Sequence, residues 1–211
     1  ANFVVTNPVA EQILKGIFNP TNFFPSEIIN DQNKIICGLQ DEINTDSLHN
    51  YLIKLSSFHN RNTGSDTVSA TTGIGAARRW AHSKFEEFSA ANENRLIPSY
   101  FQFDQVICAS NRHRNILGIL PGMDTSNHYI ILIQAHIDSR CEGLCDTACE
   151  AHGMEDNGSG SALVLELARV MCKYSFQKTI VFMLLIGEEQ GLYGAEAFAQ
   201  YSKNNNLKIK V

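Results

Sequence analysis

Ile180-Val181-Phe182-Met183-Leu184-Leu185-Ile186-Gly187-Glu188-Glu189-Gln190-Gly191-Leu192-Tyr193-Gly194 decides how the rest of the 211-residue chain is read. Seven apolar residues, bounded by Lys178-Thr179 and by Gly187, suit a strand buried on both faces better than a helix. Beyond Gly191, the residues Leu192, Ala195, Phe198 and Ala199 fall at helical spacing. Two adjacent acids therefore sit where a buried strand hands over to a helix, and in open α/β sheets ligands bind at that carboxyl edge. Glu188 and Glu189, side by side at a dry edge, repel each other unless a positive charge is near. A metal ion meets that need, because one acid can bind it while its neighbour stays free to move a proton. The plainer alternative is that both acids favour the positive N-terminus of the following helix. The chain upstream separates the two.

Working outward, Tyr129 to Ala135 reads as a second buried strand, ending at His136-Ile137-Asp138. Glu155-Asp156-Asn157-Gly158-Ser159-Gly160 opens a helix from about 160 to 173, capped by Ser159 or Asn157 and apolar at Ala162, Leu163, Leu165, Leu167, Val170 and Met171. Residues 207–211 look like the start of another strand. Strand–helix–strand–helix–strand predicts right-handed crossovers and a largely parallel core. Further upstream, residues 100–106 and 115–120 read as an antiparallel pair. Asp46-Ser47 is expected to cap a helix with Leu48, Tyr51, Leu52 and Leu55 on one stripe, and Arg61 to Asp66 to form a turn. A second amphipathic helix turns Ile74, Ala77, Ala81, Phe85 and Phe88 inward and Arg78, Lys84 and Glu87 outward. Asn7-Pro8 opens a short helix with Asn7 as N-cap, 19–25 is a loop, and 26–45 is divided between a short helix and an edge strand.

Three separate stretches thus deliver His136, Asp138, Asp156, Glu188 and Glu189 to one edge of the sheet. A neutral imidazole nitrogen and carboxylate oxygens form a zinc ligand set, and one carboxylate can bridge two metals ~3.5–4 Å apart. Asp138, two residues after His136, can hold the far ring nitrogen. Each stretch alone has a plainer reading: His-x-Asp as a structural hydrogen bond, Asp-Asn-Gly-Ser-Gly as a turn with a helix cap. Their joint occurrence at strand ends favours the metal.

His136-Ile137-Asp138, Asp156-Asn157-Gly158-Ser159-Gly160 and Gly187-Glu188-Glu189-Gln190-Gly191-Leu192-Tyr193-Gly194 resemble, in order, the motifs of the co-catalytic di-zinc aminopeptidases of metallopeptidase family 28, the leucyl and aminopeptidase Y type. The resemblance implies a three-layer α-β-α domain with a mixed, mostly parallel central sheet, incomplete on its C-terminal side. It covers about 45–211, which would be the N-terminal part of the catalytic domain, with 1–44 an extension of helix and loop packing on it. It further implies that His136 binds the first zinc, that Asp156 bridges two zincs and that Glu189 binds the second. Glu188 would be the general base toward a metal-bound water, and Asp138 would orient His136. The reaction implied is hydrolysis of the N-terminal residue of a peptide substrate.

Two features depart from the pattern. Family members carry a further Asp and a later His as ligands, and both would fall beyond Val211, so the chain is expected to be a piece of a longer aminopeptidase holding zero to two zincs. Ala151-His152-Gly153-Met154-Glu155 also replaces the family's Pro and second Asp, with His152 read as a loop residue near the site. A single-zinc glutaminyl cyclase and a non-catalytic binding module on the same fold are the alternatives.

Composition excludes other classes. A net charge of −5 leaves no electrostatic footprint for nucleic acid. The longest apolar run, seven residues, is far short of the ~20 that cross a bilayer. Cys141, Cys145 and Cys149 lie close together, which with an opening at Ala1 points to a mature secreted or periplasmic protein. Those three could hold one local disulfide, stay as buried thiols, or bind an extra metal, whereas Cys37, Cys108 and Cys172 read as core thiols. His49, His59 and His82 read as surface residues, and His113 and His128 as loop residues flanking strands. Oligomeric state is not legible.

Overall fold

Thr179–Leu185 is a strand buried at every residue, as its unbroken apolar run requires. The computed structural model describes residues 2–210. Along the chain these form β1 (Phe3–Val5), α1 (Pro8–Leu14), α2 (Gln32–Glu42), α3 (Thr45–Ser56), α4 (Gly73–Ala90), β2 (Ile97–Ile107), β3 (Ser110–Leu120), β4 (Ile130–His136), α5 (Gly160–Met171), β5 (Thr179–Leu185), α6 (Tyr193–Asn204) and β6 (Ile209–Lys210). Val211, the last residue of the expected terminal strand, lies outside the described residues.

The strands make one sheet in the order β1-β2-β3-β5-β4-β6. It is more evenly mixed than the mostly parallel sheet expected from the sequence. β4 runs parallel to β5 and β6, while β1–β2, β2–β3 and β3–β5 are antiparallel. The reason is connectivity: only the passages through α5 and α6 supply the helical crossovers that parallel neighbours need. The β2–β3 side is joined instead by a tight hairpin.

Side-chain alternation divides the helices between the two faces. Phe101 of β2 packs edge-on to Phe198 of α6 at 5.3 Å between ring centroids. One residue back, Tyr100 faces the other way and stacks on His82 of α4 at 4.4 Å. With α5 packed on β4, β5 and α4, the result is three layers, helix on sheet on helix. No helix among the described residues is long and apolar enough to cross a membrane.

Local chemistry accounts for most element ends. Asn7 caps α1 by accepting from the Val9 amide at 3.0 Å, with Pro8 in the first turn, as its sequence predicts. The cap of α3 is Asn44 rather than Asp46-Ser47, because the Asn44 side chain accepts from the Ser47 amide at 2.9 Å and leaves Asp46 inside the first turn. In the 26–45 stretch the helix α2 forms, capped by Asp31, and no strand does; the sheet edges are β1, whose Phe3 sits opposite Phe103, and β6. Two residues expected at the surface are buried. Arg78 is covered because α4 packs against both the sheet and α5. Burial pushes its guanidinium down to about 10. His113 lies within β3, with Nε2 3.0 Å from the Gln105 carbonyl and 3.2 Å from that of Ser110.

The cysteines are arranged differently from the expectation. Cys141 pairs with Cys149, which is the local disulfide, but Cys145 pairs with Cys108. Cys108 is therefore no core thiol: it stands at the tip of the β2–β3 hairpin and ties it to the 141–149 loop. Cys37 is exposed on α2, and only Cys172 is a buried thiol, pushed up to about 12 by burial.

The hairpin tip needs two residues with positive φ, and Cys108 and Ala109 supply them at 47° and 66°. Ala109 has no partner that requires its methyl group and adopts a conformation glycine takes freely. Ala109→Gly is expected to raise unfolding stability in urea titration with both disulfides intact, because relief of left-handed strain, about 1–2 kcal/mol, exceeds the about 0.4–1 kcal/mol by which glycine loosens the unfolded chain.

Candidate metal centre

β4 and β5 are parallel neighbours in register, with His136 opposite Leu185, so their carboxyl ends open at the same edge. His136 closes β4, and Gly187 follows β5. At Gly187 the chain turns with φ +75°, and its carbonyl accepts from the Tyr193 amide at 2.9 Å. That turn sets Glu188 and Glu189 beside His136. The third stretch arrives through the irregular turn Met154–Ser159, where Asp156 and Asn157 leave helical dihedral angles and the Asn157 side chain caps α5 at the Gly160 amide, 3.0 Å. Gly153 makes this approach possible: at φ +46°, a Cβ there would stand 2.5 Å from Cβ of Ser139 and 2.7 Å from the Asp156 carbonyl oxygen.

The structure brings together the three side chains that the resemblance assigns to metal. One donor atom from each of His136, Asp156 and Glu189 lies within 4.8 Å of the others, a grouping that could hold a metal ion. The His136 Nε2 is 3.0 Å from Oδ1 of Asp156 and 3.7 Å from Oε2 of Glu188. Its Nδ1 faces the opposite way, 3.2 Å from the Asp138 main-chain oxygen and 3.5 Å from the Asp138 carboxylate. Asp138 is fully buried. With Nδ1 engaged there, Nε2 is the nitrogen left to serve as a ligand.

The charges are unevenly held. Burial pulls His136 down, but the hydrogen bond and charge of Asp138, with Glu188 and Asp156, outweigh it and raise the imidazole to about 9. Burial raises the carboxyl of Glu189, opposed by a hydrogen bond from Arg140. That bond, from Arg140 Nε to Glu189 Oε2 at 2.8 Å, was not foreseen from sequence. Arg140 follows directly on His136-Ile137-Asp138-Ser139, and adjacency to a ligand stretch is the one signal that could have flagged it. His152 stands apart, its Nδ1 2.9 Å from the Ser56 carbonyl. A cavity of about 510 Å³ opens over the cluster, lined by Glu142, Glu155, Asp156 and Glu189 against the single cation Arg140.

Residues 115–211 match the profile of peptidase family M28. The matched segment is similar to an M28 peptidase domain. It holds all three stretches of the cluster. A probable zinc metalloprotease of Pyrenophora teres f. teres is 35% identical over 175 residues, covering 80% of this chain and 37% of its own length. Leucine aminopeptidase 1 of Paracoccidioides brasiliensis is 28% identical over 217 residues, covering 99% of this chain and 52% of its own. Among solved structures, the LapA aminopeptidase of Legionella pneumophila superposes with a TM-score of 0.68 at 24% identity, over 90% of this chain and 48% of that one. This chain thus spans about half the length of these proteins or less, and shares the LapA fold across 90% of its own residues.

Proposed function

We propose that the protein is a zinc metallopeptidase that removes the N-terminal residue of peptides. The observation that carries this reading is the division of labour among the carboxylates. Asp156 and Glu189 converge with His136 on one point, while Glu188 stands beside them outside that grouping. The similarity to an M28 peptidase domain and the names of the related proteins support it.

His136, Asp156 and Glu189 would hold zinc, a donor set of one imidazole and two carboxylates that suits it. Zinc supplies Lewis acidity toward a carbonyl and makes water nucleophilic near neutral pH. Asp156, with a side chain 76% exposed, has room to share a second ion of a co-catalytic pair. Asp138 fixes the His136 ring. Glu188 accepts the proton of the attacking water and returns it to the leaving amine. The acidic surplus of the cavity favours a substrate whose free α-ammonium enters it.

The test compares a leucyl peptide with its N-acetylated form. Hydrolysis of the free form alone, abolished by chelator and restored by zinc, is the expected result. Hydrolysis that ignores chelator sinks the zinc reading. Pyroglutamate formation from an N-terminal Gln peptide, with no amino acid released, would instead point to the cyclase.

A further inference from the structure

The loop 60–65 is polar in composition and overlaps the turn expected at Arg61 to Asp66, and Asn60, Arg61, Asn62, Thr63 and Ser65 are all buried. Each long polar side chain reaches a distant segment. Asn60 Nδ2 donates to the Cys149 carbonyl at 2.9 Å and Asn62 Nδ2 to that of Leu144 at 2.8 Å. The Arg61 guanidinium donates to the carbonyls of Ile137 at 2.8 Å, Leu55 at 2.9 Å, His152 at 2.6 Å and Gly153 at 2.9 Å. It therefore ties the stretch after His136 to the stretch before Asp156.

Thr63 goes deepest. Its hydroxyl donates to Oδ2 of Asp138 at 3.1 Å and accepts from the Gly187 amide at 2.8 Å. Asp138 takes only longer contacts from the amides of Glu188 and Glu189, at 3.4 and 3.3 Å. One hydroxyl thus joins the carboxylate behind His136 to the first peptide of the turn that carries Glu188 and Glu189. A hydroxyl can donate and accept at once, and no apolar side chain of that size replaces it.

We propose that Thr63 is a positioning residue of the metal centre, a hydroxyl from the α3–α4 loop that fixes Asp138 behind His136 and holds the Glu188-Glu189 turn in register with it. The proposal rests on the reading of His136, Asp156 and Glu189 as metal ligands. Partners that orient a ligand from behind typically change metal affinity about 10–100-fold when removed.

Thr63→Ser and Thr63→Ala both lose the γ-methyl and differ only in the hydroxyl, so their comparison isolates it. Zinc dissociation constants are read by competition with a chromophoric chelator, alongside thermal unfolding of the zinc-free proteins. The expected result is zinc binding about 10–100-fold weaker in Thr63→Ala than in Thr63→Ser, with Thr63→Ser close to wild type. Equal affinities in the two variants overturn the proposal. A Thr63→Ala protein that does not fold while Thr63→Ser does also overturns it, since the hydroxyl would then serve the fold and not the site. Wild-type protein that binds no zinc would remove the metal reading itself, an outcome separate from either.

Discussion

Glu188→Gln is expected to lower peptidase turnover by ~10²–10⁴-fold, the range for losing a positioned general base. The substitution keeps the shape of the side chain and removes only its capacity to take a proton. Its neighbour shows why the two acids are not equivalent. The Glu189 side chain is 9% exposed and held by Arg140, which suits the ligand role proposed for it. That of Glu188 is 35% exposed, with Oε2 3.7 Å from His136 Nε2, so it borders the reacting region without being locked. The Glu188 backbone amide faces Asp138 whichever side chain it carries, so the turn is expected to survive the change. The loss should fall on kcat with KM nearly unchanged, and zinc binding should stay near wild type. Turnover within a few-fold of wild type would show the base to be another group. A parallel loss of zinc would show Glu188 to be a ligand.

How much of this was legible beforehand depended on the range over which each residue acts. The β4 and β5 strands announce themselves because an apolar run is a local signal, and so does Asn7-Pro8, whose cap bond spans two residues. The cluster of His136, Asp156 and Glu189 was legible because His136 closes one and Glu189 follows the other of two parallel neighbours that share an edge, and Asp156 lies in the turn that opens the helix between them. What failed to show was contact over long separations. Cys108 looked like a core thiol beside Val106 and Ile107, since nothing local indicates a bond to a cysteine 37 residues away. Arg61 to Asp66 read as a turn because its composition is polar. Its burial depends on carbonyls and carboxylates supplied 75 to 92 residues later, in the case of Thr63 with Asp138 and Arg61 with Gly153. A buried polar side chain is stable only when partnered, so such a loop cannot be recognised until its partners are in place. β1, at three residues, is too short to display a period at all.

His136→Ala is expected to remove the stabilisation that zinc gives the protein. His136 contributes the only nitrogen of the grouping, and its Nε2 lies 3.0 Å from Asp156. Without it, two carboxylates remain, one of them already engaged by Arg140. Loss of a direct ligand should exceed the about 10–100-fold penalty of disturbing a partner behind one. At a zinc concentration 100 times the wild-type dissociation constant, bound metal stabilises the wild type by about 2.7 kcal/mol, while a variant binding about 100-fold more weakly gains about 0.4 kcal/mol. For a chain of this size, each kcal/mol moves Tm by about 2–4 °C, so a zinc-induced shift of about 5–10 °C should shrink to about 1–2 °C. The shift is the quantity to compare, not the absolute Tm, because removing the imidazole also removes its interactions with Asp138 and Asp156 in the metal-free protein. His152→Ala is the matched control: its Nδ1 is turned to the Ser56 carbonyl and it stands outside the cluster, so its zinc shift should equal that of wild type. A full shift in His136→Ala, or a lost one in His152→Ala, would move the metal centre away from the end of β4.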